Sequence, residues 1–158
     1  MSEQSAMVEA WRIVKARHAS TAFSGDGAAK FGGRWNSRGV PMVYASSSRA
    51  LAVLETLVHL NPPVRFKFAA FRVRFDSRWV ETLDPKRLPR DWRSEPPGRR
   101  CMAIGDTWVK EARSAVLAVP SVIVLGESNY LFNPAHPDFR KVLVSRPEPF
   151  ALDPRLLA

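Results

Sequence analysis

Lys30-Phe31-Gly32-Gly33-Arg34-Trp35-Asn36-Ser37-Arg38-Gly39 leads straight into Val40-Pro41-Met42-Val43-Tyr44-Ala45, and then into a helix-spaced apolar run from Ser48 to Leu60. A glycine turn, a short strand and an amphipathic helix in this order announce a mixed α and β unit carrying a cassette of reactive side chains. The paired glycines let the backbone approach a ligand closely, Arg34 has a planar fork that matches phosphate, and Trp35 has a flat face that suits a base. Ser48 can cap the helix, and Leu51, Leu54, Leu57 and Val58 share one face with Glu55 at its edge. A basic fork, aromatic faces and a lone acid point to nucleotide chemistry.

Outward from this cassette, Trp11–Val14, Met42–Ala45 and Phe68–Phe75 are expected to be strands. A second helix is expected from Thr107 to Ser114. Ala115–Leu125 should form one or two buried strands interrupted at Pro120-Ser121. Interleaved strands with few helices predict an α+β fold with a compact mixed sheet rather than a doubly wound one. Residues 87–100 are rich in arginine and proline and are expected to be an irregular loop, the most mobile part of the chain. With no repeat and no clean linker, residues 1–158 are expected to be a single domain with its core at about 11–145.

A chain of 158 residues that is 46% hydrophobic can bury one sizeable core. No apolar run approaches a membrane span, and Met1-Ser2-Glu3-Gln4-Ser5 lacks the features of a signal peptide, so a cytoplasmic protein with no membrane partner is expected. The lone cysteine, Cys101, excludes an internal disulfide and is taken as an incidental loop residue beside Arg99 and Arg100. His18, His59 and His136 show no metal-ligand spacing, so no metal is expected, and His136 is expected to hold a turn. Neither Gly25-Asp26-Gly27 nor Gly32-Gly33 forms a P-loop or a dinucleotide fingerprint. A net charge of +9 and a pI near 10.6 call for an acidic partner: nucleic acid, an anionic small molecule or an acidic protein.

Five blocks in order resemble the RES domain family, named for its arginine, glutamate and serine. Arg12 lies in the first strand, Gly32-Gly33-Arg34-Trp35-Asn36 forms the glycine and arginine segment, and Tyr44 closes the second strand ahead of Glu55. Gly105-Asp106-Thr107-Trp108 opens the next helix, the run from Leu117 to Ile123 supplies Ser121, and Asn129 to Phe139 supplies the tail. The resemblance implies an ADP-ribosyltransferase-like fold and a toxin of a bacterial toxin–antitoxin pair that degrades NAD and arrests growth. NAD is then a substrate, with no separate cofactor. The implied partner is an antitoxin with an Xre-like helix-turn-helix domain, through which any DNA contact would run. The implied roles are electrostatic support of an oxocarbenium ion by Glu55, a pyrophosphate clamp from Arg12 and Arg34, stacking of Tyr44 on nicotinamide, and donation from Ser121 to a phosphate oxygen.

Each residue also has a plainer role open to it. Glu55 would pair with His59 on a solvated helix edge, Arg34 would be a surface arginine, Tyr44 would pack in the core and Ser121 would cap a turn. Trp35 and Asn36 would pack the loop as readily as bind adenine. Two further functions stay open: a protein-modifying ADP-ribosyltransferase using the same Glu55 and Arg34, and a nucleic-acid module in which Phe66, Phe68, Phe71 and Phe75 alternate with Arg65, Lys67, Arg72 and Arg74.

Overall fold

The structure is a computed structural model that describes residues 4–60 and 66–157. Strand β1 (Met7–Lys15) pairs antiparallel along its whole length with β3 (Phe68–Asp76), from Met7 opposite Asp76 to Lys15 opposite Phe68. Short helix α1 (Asp26–Phe31) precedes β2 (Val43–Ser46), and α2 (Arg49–Leu57) follows it at once. Then come β4 (Val80–Thr82), α3 (Arg99–Lys110), β5 (Val116–Pro120), β6 (Ser128–Phe132), β7 (Leu143–Val144) and β8 (Glu148–Phe150). The sheet runs β4-β5-β6-β2-β1-β3-β7, with β8 also on β3, and every pairing is antiparallel except β4 with β5. The α+β architecture with a mixed sheet and few helices is the one expected.

Two cores sit on opposite faces of β2, β5 and β6. Val43, Ala45, Val116 and Phe132 face one core with Ala10, Val73 and Phe75. Leu117, Val119 and Leu131 face the other, where Trp35, Met42, Cys101 and Trp108 cover them. Strands buried on both faces lose the alternation of a half-exposed strand, which is why the run from Ala115 to Val119 is apolar throughout. β3 instead alternates at its end: Val73 and Phe75 are buried while Arg72 and Arg74 face water. Phe68 and Phe71 are buried as well, so the proposed phenylalanine stacking surface does not exist; Arg65 of that set lies outside the described residues.

Two expectations need correction. The second helix is Arg99–Lys110, not Thr107–Ser114: Cys101, Gly105 and Trp108 are its buried stripe, so Gly105-Asp106-Thr107-Trp108 lies inside it. Its basic first turn masks that stripe in the sequence. It stops where Ala112 turns to a left-handed φ of 49°. Cys101 is accordingly a buried helix residue, 1% exposed, whose thiol contacts the Trp92 carbonyl at 3.8 Å and is pushed up in pKa by burial. Ala115–Leu125 holds one buried strand with its break at Pro120-Ser121 as expected, and the residues after the break form bends and a turn. Strand β6, an inner strand between β5 and β2, has no strand signal in the sequence, because Ser128-Asn129-Tyr130-Leu131-Phe132 has two polar members and no alternation visible without its neighbours.

Gly105 lies where α3 crosses the backbone of Trp35, and a Cβ there would overlap the Trp35 carbonyl oxygen. Overpacking of this kind costs about 1–3 kcal/mol. Gly105→Ala should therefore lower the unfolding free energy by that amount, read as a lower denaturant midpoint at constant slope; an unchanged midpoint would mean that α3 does not press on the 32–40 loop.

Candidate functional site

The 32–40 loop is held by hydrogen bonds rather than left open for a ligand. Gly32 takes a φ of 73°, and the Gly33 N–H donates to the Asn36 carbonyl at 2.9 Å. Asn36 is fully buried, and its Nδ2 donates to the carbonyls of Ala28 (2.8 Å) and Val40 (3.1 Å). The Tyr44 hydroxyl donates to Asn36 Oδ1 at 2.6 Å and accepts from the Trp35 N–H at 3.1 Å. From α3, the Asp106 carboxylate accepts from the Ser37 N–H (2.9 Å) and hydroxyl (2.5 Å). A Cβ at Gly33 would come within 2.7 Å of the Tyr44 hydroxyl, so this glycine is needed for close packing against the chain itself. Trp35 is 2% exposed and offers no face to a base, which corrects one expectation and decides the Trp35 and Asn36 alternatives in favour of loop packing.

The two arginines are in unlike settings. Arg34 donates from Nη1 to the carbonyls of Trp92 (2.9 Å) and Ser94 (2.8 Å), and from Nη2 to Glu95 at 2.8 Å. It therefore tethers the basic 87–100 loop, part of which is helical from Arg99. The Arg34 side chain is 15% exposed and the Glu95 side chain 73%, so the ion pair is closed from within and open on the carboxylate side. Nε and one Nη2 hydrogen of Arg34 have no partner among the described residues.

Arg12 stands where β1 and β2 part, since these strands share only the pair Trp11 with Ser46. Its Nε donates to the Ala22 carbonyl at 2.7 Å and its Nη1 to the Tyr44 carbonyl at 2.8 Å. Desolvation lowers its pKa to about 10, so it stays charged at neutral pH. No carboxylate pairs with it among the described residues. A desolvated cation held by carbonyl dipoles and by the Phe23 ring, 6.0 Å from its centre, keeps its full charge and attracts an anion.

Glu55 projects from α2 into a set of side chains that the sheet supplies. Asn129 Nδ2 donates to Glu55 Oε1 at 2.7 Å, and the Ser121 hydroxyl donates to the same oxygen at 3.1 Å. The Ser46 hydroxyl in turn donates to Asn129 Oδ1 at 2.8 Å. Ser121 is fully buried and also accepts from the N–H groups of Ile123 and Val124, both at 3.1 Å. Its single proton goes to Glu55, which leaves none for a phosphate oxygen; Ser121 is both turn cap and carboxylate support. Oε2 of Glu55 has no partner among the described residues, and no ion pair to His59 forms.

Tyr44 and Ser46 lie two residues apart on one face of β2, roughly 7 Å at strand rise. This strand joins the Arg12 and Tyr44 half of the site to the Glu55, Ser121 and Asn129 half. Arg34 is bonded to the 92–95 segment, and its charge is the smallest influence on the Tyr44 phenol. Ser46 and Asn129 were missed as site residues: Asn129 stood in the tail block, but nothing in its spacing says that it faces Glu55. A separate hollow of about 310 Å³, lined by Val8, Val80, Thr82, Ala118, Ser128 and Tyr130 among others, opens on the other face of β6. It contains none of the expected site residues. His136 holds a turn as expected, its Nδ1 accepting from the Asp138 N–H at 3.0 Å.

Burial raises the pKa of Tyr44, partly offset by the N–H of Trp35, and burial raises that of Tyr130 too. These are both tyrosines of the chain. Unfolded tyrosine ionises near about 10, so neither phenol alters stability below that pH; above it the unfolded chain loses the protons first and stability falls. At about pH 10.5, just above the ordinary tyrosine value, the folded protein should show less tyrosinate absorbance than the denatured chain; equal absorbance in the two would contradict the buried Tyr44 phenol.

The RES domain model matches residues 9–153. The chain is 40% identical over 148 residues to a protein of Yersinia enterocolitica called Toxin Res, covering 92% of this chain and 97% of that one. It is 42% identical over 153 residues to the Prs ADP-ribosylating toxin of a Sphingobium species, covering 93% and 95%. Among solved structures it resembles a chain of the MbcT-MbcA toxin-antitoxin complex of M. tuberculosis, with a TM-score of 0.72 over 96% of this chain and 87% of that one, at 18% identity, a likeness of fold. No helix among the described residues is long and apolar enough to cross a membrane. With a family model spanning most of the chain and relatives of about 40% identity along nearly their full lengths, this protein belongs to the RES domain family.

Proposed function

We propose that the protein is the toxin of a toxin–antitoxin pair and that it destroys NAD by breaking the bond between nicotinamide and ribose. One observation carries this most directly: Glu55 is gripped through Oε1 by Asn129 and Ser121 while Oε2 is left to accept. As the bond from ribose C1 to the nicotinamide nitrogen breaks, its electron pair neutralises the pyridinium and the sugar takes on oxocarbenium character. Oε2 accepts a ribose hydroxyl and stabilises that charge, at a carboxylate already oriented before the substrate arrives. Arg12, charged and without an acidic partner among the described residues, takes a pyrophosphate oxygen. The Nε edge of Arg34 supports a second oxygen, with the exposed Glu95 carboxylate free to move aside. Water adding to C1 gives ADP-ribose and a proton; phosphate gives the 1-phosphate.

A second reading is transfer of the ADP-ribose to a protein, favoured by the relative whose name describes an ADP-ribosylating toxin acting on Prs. Bond cleavage and the role of Glu55 are shared, and only the acceptor differs. An antitoxin is the proposed protein partner, in keeping with the toxin–antitoxin complex that the fold resembles and with the +9 charge, which suits an acidic surface. An Xre-like helix-turn-helix antitoxin is the form that the family resemblance implies.

Purified protein incubated with NAD should release nicotinamide, and adding phosphate or a candidate protein acceptor should change the ADP-ribose product without abolishing release. Glu55→Gln should keep the fold and NAD affinity yet lower turnover by orders of magnitude. Arg12→Ala should weaken NAD binding, seen by calorimetry, with a smaller effect on turnover at saturation. Wild-type nicotinamide release by Glu55→Gln would sink the assignment, and cellular growth arrest with an undiminished NAD pool would shift it to protein modification.

A further inference from the structure

We propose that Ser46 and Asn129 are positioning residues that orient the Glu55 carboxylate, a role that rests on Glu55 being the acid of the proposed cleavage. The register of β2 on β6 sets Ser46 directly opposite Asn129. Ser46 is 4% exposed, and its hydroxyl donates to Asn129 Oδ1 at 2.8 Å. The Asn129 amide then presents Nδ2 to Glu55 Oε1 at 2.7 Å.

An asparagine amide has a donor end and an acceptor end, and a carboxylate only accepts. With Nδ2 on Glu55, Oδ1 is turned back into the sheet, where it needs a donor. Ser46 is that donor. The two bonds together oppose rotation of the amide about its last torsion, and a half-turn would press Oδ1 against the carboxylate. Ser121 approaches the same oxygen from the turn after β5, and its own hydroxyl is fixed by two N–H groups. Oε1 is thus held from β6 and from the turn after β5, and Oε2 is the oxygen left for substrate, so the chain decides in advance which lone pairs meet the ribose.

The relay predicts a loss in kcat rather than in affinity, because it acts on the orientation of a group that works in the transition state. Asn129→Ala should lower kcat by on the order of 100-fold, the scale of a small misplacement of a reacting group, with KM for NAD little changed. Ser46→Ala should lower kcat by about five- to tenfold, a hydrogen bond's worth, and Ser46→Thr, which keeps the hydroxyl, should recover most of it. In the substrate-free protein, the side-chain amide protons of Asn129, followed by NMR, should shift in both Glu55→Gln and Ser46→Ala and return toward wild type in Ser46→Thr. If Asn129→Ala does not fold, the serine variants carry the test. A wild-type kcat in folded Ser46→Ala, a loss confined to KM, or an Asn129 amide signal indifferent to Glu55→Gln would overturn the proposal. The NMR measurement needs no turnover, so a wild-type protein that releases no nicotinamide would refute the proposed function, and the relay would then stand or fall on the Asn129 amide shifts alone.

Discussion

Everything in this site depends on the register of β2 against β6. Val43 faces Phe132, Tyr44 faces Leu131, Ala45 faces Tyr130 and Ser46 faces Asn129. A slip by one residue would turn Asn129 to the opposite face of the sheet and part it from Glu55. The register is strongly specified because both faces of these strands are buried. Val43, Ala45 and Phe132 fill one core, and Leu131 fills the other with Tyr44 packed against it. The polar residues of the candidate site are therefore placed by the apolar residues that fill the two cores.

The same strand carries the second constraint, the fixed 32–40 loop. The Tyr44 hydroxyl locks the turn at Trp35 and Asn36, while its backbone carbonyl receives Arg12. Side chain and main chain of one residue thus tie the glycine loop to β1. Where β1 and β2 diverge, the unpaired Tyr44 carbonyl would be left without a donor, and the Arg12 guanidinium supplies one. The arrangement leaves a desolvated positive charge at the mouth of the split sheet, and that charge gives the position its chemical meaning.

The excess of basic residues divides into parts with different physical roles. Arg34 is an internal tether, Arg113 pairs with Glu81 and Glu111 at the surface, and Arg49 lies 4.1 Å from the Trp11 ring while reaching Glu148. Such exposed pairs contribute little to stability. Arg72 and Arg74 face water beside buried phenylalanines, so the strand that resembles a stacking surface in one dimension has its rings turned into the core in three. Charge alone could not separate these roles, since every arginine contributes equally to a net value.

By itself the sequence determined the elements with strong local signals: strand β3, the middle of β1, the Ser48 cap of α2, and the ordered blocks that mark the family. Those signals are periodicity, capping and fixed spacing, all written within a few residues of one another. Only the tertiary structure decided that Trp35 and Cys101 are buried, that Arg34 holds the 92–95 backbone, that Ser121 gives its proton to Glu55, and that Ser46 and Asn129 complete the carboxylate's surroundings. The physical reason is that a hydrogen bond between Asn129 and Glu55 joins positions 74 residues apart. Its existence is set by which faces of β2, β5 and β6 turn toward α2, and a linear pattern does not carry that information.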